Sequence, residues 1–205
     1  MEKKLRIAVL ASTRGTDMQA IIDEIEAGKL NAEIVCVISN KRDAYALERA
    51  RKHGIEAIFL DPKNKSAEEY DMEILKELEK RNVDLILLIG YKRYVTKVLL
   101  DKYRNRIMNI HPSLLPAFPG WDTEVHKAVL EYGCKITGCT LHFIDENLDA
   151  GPIILQKAVE VDENDTVETL KEKVQKAEQE IILKGIRLFM EGKLKVEGRK
   201  VKILS

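Results

Sequence analysis

The chain has 205 residues, and its 34 Lys and Arg residues are balanced by 34 Asp and Glu residues, so the formal net charge is zero. This length favours one domain, or at most two small ones, and a hydrophobic fraction of 45% is ordinary for a globular protein, which excludes wholesale disorder. A neutral chain also lacks the basic excess that is typical of nucleic-acid-binding proteins.

The sequence shows no feature of a secreted, membrane or metal-binding protein. Its start lacks the long apolar stretch of a signal peptide, and the apolar run at 83–89 is far shorter than the roughly 18–20 residues that span a bilayer. The cysteines Cys36, Cys134 and Cys139 are odd in number and have no zinc-like spacing. We therefore expect reduced thiols, no metal, no membrane association and a cytoplasmic location.

The first two-thirds of the chain alternates short apolar runs with amphipathic segments. The predicted strands are 5–11, 33–39, 56–60, 85–89 and 106–110. The predicted helices are 16–26, 44–53, 66–80 and 96–103. Strand–helix–strand alternation at this spacing predicts right-handed crossovers and a mainly parallel sheet with helices on both faces.

The pattern changes after Pro112. A helix is predicted at 123–132, followed by long strands at 135–145 and 152–161 with a tight turn at 148–151 between them. A long helix at 166–191, capped by Asp165 or Thr166, and a lysine-rich edge hairpin at 193–203 complete the chain. The predicted fold class is α/β, a Rossmann-like, mainly parallel sheet extended by an antiparallel C-terminal portion.

A first candidate site follows the first strand. Ligands in open α/β sheets bind beyond the C-terminal ends of the strands, and the first such end here is Ser12-Thr13-Arg14-Gly15-Thr16-Asp17, leading into a helix. Backbone N–H groups at a helix N-terminus favour an anion. Gly15 is the turn's one glycine, so this is no dinucleotide fingerprint and nicotinamide or flavin binding is disfavoured. From the turn alone, a phosphate site and a helix start capped by Thr16 or Asp17 both stay open.

Two further candidate segments contain an imidazole and a carboxylate. In Asn109-Ile110-His111-Pro112, Asn109 and His111 point to the same face of a strand because side chains alternate, and Pro112 ends the pairing. In Leu148-Asp149-Ala150-Gly151-Pro152, Asp149 lies on a turn, where its carboxylate could serve the turn alone. If that turn folds beside His111, the carboxylate favours the charged imidazole.

Together these segments resemble the 10-formyltetrahydrofolate-dependent formyltransferases, and within them the enzymes that act on phosphoribosylglycinamide. The most specific motif is Asn109-Ile110-His111-Pro112-Ser113-Leu114-Leu115-Pro116. Beside it stand His142-Phe143, Gln19-Ala20-Ile21-Ile22 and the segment from Leu148 to Gln156. The resemblance extends from about Arg6 to about Phe189, and it also implies a cis peptide bond between Leu115 and Pro116.

The resemblance implies formyl transfer from 10-formyltetrahydrofolate to the amine of N1-(5-phospho-D-ribosyl)glycinamide in de novo purine synthesis, with no metal. It implies one domain, 1–205, with a Rossmann-like phosphate half (1–110) and a folate half (111–205). The implied catalytic residues are Asn109, His111 and Asp149. The implied phosphate and substrate residues are Gly15, Thr16, Asp17, Gln175, Lys176, Ala177 and Glu178. The implied folate-binding residues are Lys92, Arg93, Tyr94, Val95, Asn109, Asp145, Glu146, Asn147, Leu148 and Asp149.

The turn departs from the family pattern at Asp17, where an asparagine is usual. A carboxylate about 4 Å from a phosphate is repelled by on the order of 1–4 kcal/mol, which Arg14 could offset. Three alternatives therefore stay open: a formyltransferase for another amine such as an amino sugar, a hydrolase that uses water, and a non-catalytic nucleotide-binding module. The intact trio argues against the last. We expect small-molecule substrates, and a monomer or a homodimer.

Overall fold

The computed structural model describes residues 3–121 and 124–205. The chain forms two compact units, one ending at Asn109 and the other beginning at Ile110. Within the described part, no helix is both long enough and apolar enough to cross a membrane.

The first unit is built on parallel strands. Its elements are β1 (Leu5–Leu10), α1 (Thr16–Glu26), β2 (Ala32–Ser39), α2 (Tyr45–Lys52), β3 (Ala57–Phe59), α3 (Ala67–Lys80), β4 (Leu85–Leu88), α4 (Lys97–Lys102) and β5 (Ile107–His111), whose last two residues belong to the second unit. The strands pair in the order β3-β2-β1-β4-β5, and every pair is parallel. The predicted alternation of strands and helices is therefore confirmed.

The strands of this unit are apolar because both of their faces are covered. Ile7, Ala8, Val9 and Leu10 are consecutive in β1 and fully buried. Since neighbouring residues of a strand point to opposite faces, an uninterrupted buried run requires packing on both sides of the sheet. This burial agrees with the predicted helices on both faces.

The second unit is mainly antiparallel. Its elements are α5 (Val125–Tyr132), β6 (Ile136–Phe143), β7 (Ile153–Glu160), α6 (Val167–Met190), β8 (Leu194–Glu197) and β9 (Lys200–Ile203). Strand β6 pairs antiparallel with β7, and β8 and β9 form the predicted hairpin, whose strand β9 pairs parallel with β7. The antiparallel C-terminal portion is thus confirmed. The helix predicted at 123–132 begins at Val125, and residues 122 and 123 lie outside the described residues.

Helix α6 has a defined start and one buried face. Thr166 is its N-cap, and its hydroxyl accepts from Thr169 N–H while the Thr169 hydroxyl accepts from Thr166 N–H. This reciprocal pair satisfies two of the backbone donors that a helix start leaves open, so the predicted cap at Thr166 is confirmed. The helix contacts both β6 and β7.

Candidate active site

Asn109 and His111 lie on β5, the strand inside which the chain passes from one unit to the other. Asn109 is half-buried and His111 is 5% exposed. Because side chains alternate along a strand, an amide and an imidazole project from the same side of β5. The predicted Asn-x-His pair is therefore placed at the end of a strand, as the pattern indicated.

The imidazole of His111 is held between two oxygen atoms. Its Nε2 lies 2.7 Å from the carbonyl oxygen of Phe118, and its Nδ1 lies 3.7 Å from Oδ2 of Asp149. A carbonyl can only accept, so Nε2 carries the hydrogen of the first contact. The second contact has the separation of an ion pair. The turn that contains Asp149 does fold beside His111, and the structure brings these two predicted residues together.

Asp149 is a buried carboxylate on a strained turn. Its side chain is 7% exposed, and its φ of 48° lies in the left-handed region that Asp and Asn tolerate better than most residues. Oδ2 accepts a hydrogen bond from Gly120 N–H at 2.6 Å, and Oδ1 lies 3.9 Å from Nε2 of His142. The carboxylate therefore lies between two imidazoles.

The close approach of two strand ends fixes the position of that turn. Gly151 lies so near the end of β6 that a Cβ on it would stand 1.8 Å from the carbonyl oxygen of Phe143. Phe143 N–H donates to the carbonyl of Pro152 at 2.9 Å. Since a glycine is required for this approach, the Asp149-Ala150-Gly151 sequence serves both the turn and the site.

His142 is a site residue that sequence reasoning quoted within a motif but did not assign to the site. It is 1% exposed, and its Nδ1 donates to the carbonyl of Phe143 at 3.0 Å. Burial lowers the pKa of His142, although the Phe143 carbonyl and Asp149 partly oppose this effect. The neutral form is therefore favoured at neutral pH. The sequence signals were the His142-Phe143 motif of the resemblance and the position of this histidine near the end of a predicted strand.

The segment after His111 is fixed by Thr140, which sequence reasoning also missed. The Thr140 hydroxyl donates to the carbonyl of Ser113 at 2.7 Å and accepts from Leu115 N–H at 3.1 Å. Gln156 Nε2 donates to the same hydroxyl and to the carbonyl of Leu115, each at 3.0 Å. The Leu115–Pro116 bond is cis, as the resemblance implied. The chain that leaves β5 is thus anchored to β6 and β7.

The predicted phosphate turn has Gly15 as the N-cap of α1, with φ of 64°. The N-cap residue is therefore neither Thr16 nor Asp17, the two residues named in the alternative of a capped helix start. A glycine at this position reaches a left-handed conformation without strain and contributes no capping side chain of its own. Thr16 is half-buried, and Asp17 is 6% exposed in the first turn.

The other substrate residues suggested by the resemblance lie on α6. Gln175 is half-buried, Ala177 and Glu178 are buried, and Lys176 is exposed. Gln175 and Glu178 share a face because residues three apart are neighbours on a helix. Lys176 points elsewhere, so the four residues do not form one surface.

Apart from Asn109 on β5, the residues predicted to bind folate lie in two separate loops, one in each unit. Lys92, Arg93, Tyr94 and Val95 follow β4, where Lys92 N–H donates to the Ser12 hydroxyl at 2.9 Å. The Arg93 guanidinium lies 4.4 Å from the centroid of the Tyr70 ring, so this side chain is engaged within its own unit.

The second loop, residues 145–149, follows β6. Asn147 N–H donates to Oδ1 of Asp145 at 2.8 Å, which stabilises the turn locally. Glu146, Asn147 and Leu148 are exposed. Across residues 3–121 and 124–205, no group of three or more His, Cys, Asp or Glu side chains could hold a metal ion.

Comparison with known proteins identifies the family of this chain. The formyl transferase family model matches residues 5–186. The solved glycinamide ribonucleotide transformylase 1 of Symbiobacterium toebii is 46% identical, with a TM-score of 0.94 over 100% of this chain and 96% of that one. The likeness confirms the predicted fold class.

Two curated relatives extend the comparison. The phosphoribosylglycinamide formyltransferase of Bacillus subtilis is 40% identical over 84% of this chain and 88% of its own length. The trifunctional purine biosynthetic protein adenosine-3 of Gallus gallus is 42% identical over 94% of this chain, which spans only 19% of that protein. With a family model that covers most of its length, this chain belongs to the formyl transferase family.

Proposed function

We propose that this chain transfers the formyl group of 10-formyltetrahydrofolate to the amine of N1-(5-phospho-D-ribosyl)glycinamide, a step of purine biosynthesis. The observation that carries the proposal is the pairing of His111 with Asp149, whose Nδ1 and Oδ2 lie 3.7 Å apart. Asn109 lies two residues before His111 on β5, and the chain belongs to the formyl transferase family. The names of the relatives in Symbiobacterium toebii and Bacillus subtilis support the choice of acceptor.

In the proposed reaction, the acceptor amine attacks the formyl carbon and a negatively charged oxygen develops in a tetrahedral intermediate. The Asn109 amide and the N–H of a protonated His111 donate hydrogen bonds to that oxygen. Removal of one such donor typically costs about 10²–10³ in rate. The bond between the formyl carbon and N10 then breaks, the amine loses a proton, and N10 gains one through water.

The role proposed for Asp149 follows from the two oxygen atoms beside His111. Nε2 faces the Phe118 carbonyl and Nδ1 faces the Asp149 carboxylate, and only a doubly protonated ring has an N–H for each. In the reaction, the formyl oxygen would replace the Phe118 carbonyl as the acceptor for Nε2–H. Asp149 would keep its contact with Nδ1 and stabilise the charged ring.

For substrate binding, we propose one group of residues for the acceptor and another for the folate. The turn Gly15, Thr16 and Asp17 binds the phosphate of the acceptor, and Gln175 and Glu178 on α6 bind its glycinamide end. The loops at 92–95 and 145–149 bind the folate, for which the exposed, apolar Leu148 is suited. We also propose that the chain acts in the cytoplasm on these small molecules, as a monomer or a homodimer.

The test is a formyl-transfer assay with three acceptors. The protein is incubated with 10-formyltetrahydrofolate and either phosphoribosylglycinamide, an amino-sugar phosphate or water alone, and the products are measured by mass spectrometry. We expect formylglycinamide ribonucleotide to form at least 100-fold faster than formate is released in water. Faster formylation of the amino sugar, or release of formate in water as fast as formylation of phosphoribosylglycinamide, would overturn the proposal.

A further inference from the structure

Arg49, on α2, is hydrogen-bonded to the turn that we propose binds the acceptor's phosphate. Its Nε donates to the backbone carbonyl of Arg14 at 3.1 Å. Its Nη1 donates to Oε1 of Gln19, on α1, at 2.9 Å. One guanidinium therefore connects the turn to the helix that follows it.

A second contact from α2 holds the preceding residue of the turn. Ala46 N–H donates to the carbonyl of Thr13 at 3.1 Å. A Cβ on Gly15 would stand 3.0 Å from Cβ of Ala46, so the turn lies directly against this helix. The carbonyl groups of Thr13 and Arg14 are thus both directed at α2.

The orientation of these carbonyls determines where the N–H groups of the turn point. In a planar trans peptide, the C=O of one residue and the N–H of the next point in opposite directions. With their carbonyls bound to α2, the peptides Thr13–Arg14 and Arg14–Gly15 direct the N–H groups of Arg14 and Gly15 away from α2. Backbone N–H groups aligned in this way at a helix start are the donors that bind phosphate in proteins.

We infer that Arg49 is a positioning residue for the acceptor's phosphate, because it holds the Arg14 carbonyl and thereby aims the Gly15 N–H. The inference rests on the proposed function and adds a residue that lies outside the turn. Arg49 acts through the backbone and has no direct role in the chemistry.

The side chain of Arg49 is itself fixed by its neighbours. Gln19 Nε2 donates to Oδ1 of Asp23 at 2.8 Å, which leaves Oε1 of that amide directed at Arg49. The Arg49 guanidinium also lies 5.1 Å from the centroid of the Tyr45 ring. The planar, forked guanidinium makes all of these contacts at once, whereas the ammonium group of a lysine can make only some of them.

The first experiment measures phosphate binding without turnover. Arg14-Gly15 is the only Arg-Gly pair in the sequence, so protein labelled with carbonyl-¹³C arginine and ¹⁵N glycine gives one assigned amide signal for Gly15. Inorganic phosphate is titrated into the wild type, Arg49→Met, Arg49→Lys and a control, Arg51→Met. Arg51 lies on the same helix with its Nη1 3.5 Å from Glu48, so its substitution removes the same charge from a surface ion pair.

We expect phosphate to shift the Gly15 signal of the wild type and of Arg51→Met with the same Kd. In Arg49→Met the Kd for phosphate should rise about tenfold. In Arg49→Lys the Kd should lie between those of the wild type and Arg49→Met. Equal Kd values in Arg49→Met and Arg51→Met would overturn the inference, and so would a Gly15 signal that does not respond to phosphate in the wild type.

The second experiment separates positioning from a general loss of structure. In the formyl-transfer assay, Arg49→Met should raise the KM for phosphoribosylglycinamide about tenfold, whereas kcat and the KM for 10-formyltetrahydrofolate should change less than about twofold. A fall in kcat with an unchanged acceptor KM would contradict the inference. If the wild type formylates a different amine, the proposed function fails, but the phosphate titration still decides the role of Arg49.

Discussion

Oδ2 of Asp149 lies 3.7 Å from Nδ1 of His111, and each side chain is only 7% exposed. A buried carboxylate is costly unless it is paired or hydrogen-bonded, and here a backbone N–H and an imidazole meet that requirement. Because both groups depend on each other, we expect them to act as a unit in catalysis.

The variants Asp149→Asn and His111→Ala test this dependence. Asparagine keeps the shape of the side chain and tolerates the φ of 48° at position 149, so the turn should remain intact. Each variant should lower kcat by about 10²–10⁴, because acid–base and oxyanion contributions are lost together. The double variant should be little slower than the slower single variant. Melting temperatures serve as the control, and effects that multiply in the double variant would contradict a joint role.

Protonation of His142 should lower the stability of the protein at acidic pH. Burial lowers the pKa of His142 in the folded state below the value of about 6.5 expected in the unfolded chain. As the pH falls below 6.5, the unfolded state binds a proton that the folded state resists, so the free energy of unfolding decreases. Above that pH, this histidine contributes no pH dependence.

The measurement is urea unfolding of the wild type and His142→Gln between pH 7.5 and 5.5. We expect the wild type to lose more stability over this range than the variant. Burial also lowers the pKa of His126, so His126→Gln should remove a separate part of the same acid sensitivity. Parallel curves for the wild type and His142→Gln would show that His142 titrates normally.

Asp17→Asn tests the departure of the turn from the family pattern. Asp17 is buried in the first turn of α1, beside the proposed phosphate site. Removing its charge should lower the KM for a phosphorylated acceptor about fivefold or more. This factor corresponds to a repulsion of about 1 kcal/mol or more between the carboxylate and the phosphate. The KM for 10-formyltetrahydrofolate should not change. An unchanged acceptor KM would mean that the carboxylate is directed away from the phosphate.

The three cysteines should differ in their reactivity toward thiol reagents. Cys36 is fully buried, and burial raises the pKa of its thiol to about 12, so its reactive thiolate is scarce at pH 8. Cys139 is also fully buried, whereas Cys134 is half-buried. A colorimetric thiol titration of the native protein should therefore show one fast-reacting group that is absent from Cys134→Ser. Rapid reaction of all three thiols in native protein would contradict this.

The parts of the site that depend on one segment of chain were predictable from the sequence. The Asn109–His111 pair follows from strand alternation and from Pro112, and both are local properties. The alternating elements of the first unit were predictable for the same reason, since their apolar periodicity reflects burial within each element.

The contacts that complete the site join residues far apart in the chain, and no local pattern encodes them. Gly120 N–H reaches Asp149 across 29 residues, and Thr140 holds Ser113 across 27. The N-cap position of α1 could not be chosen from the sequence either, because Thr16 and Asp17 are good caps by type and only the backbone of the turn places Gly15 there. Tertiary packing decided each of these points.

The packing of cations around Tyr45 gives the protein an intrinsic optical reporter. Arg14, Arg49 and Lys52 each lie within 5.5 Å of the centroid of its ring, and the hydrogen bond from Lys52 lowers the pKa of its hydroxyl. Burial raises the pKa of Tyr70, Tyr91 and Tyr103. Tyr45 therefore ionises before these three tyrosines, and the part of the phenolate absorbance that Tyr45→Phe lacks in an alkaline titration reads out the charge beside the turn.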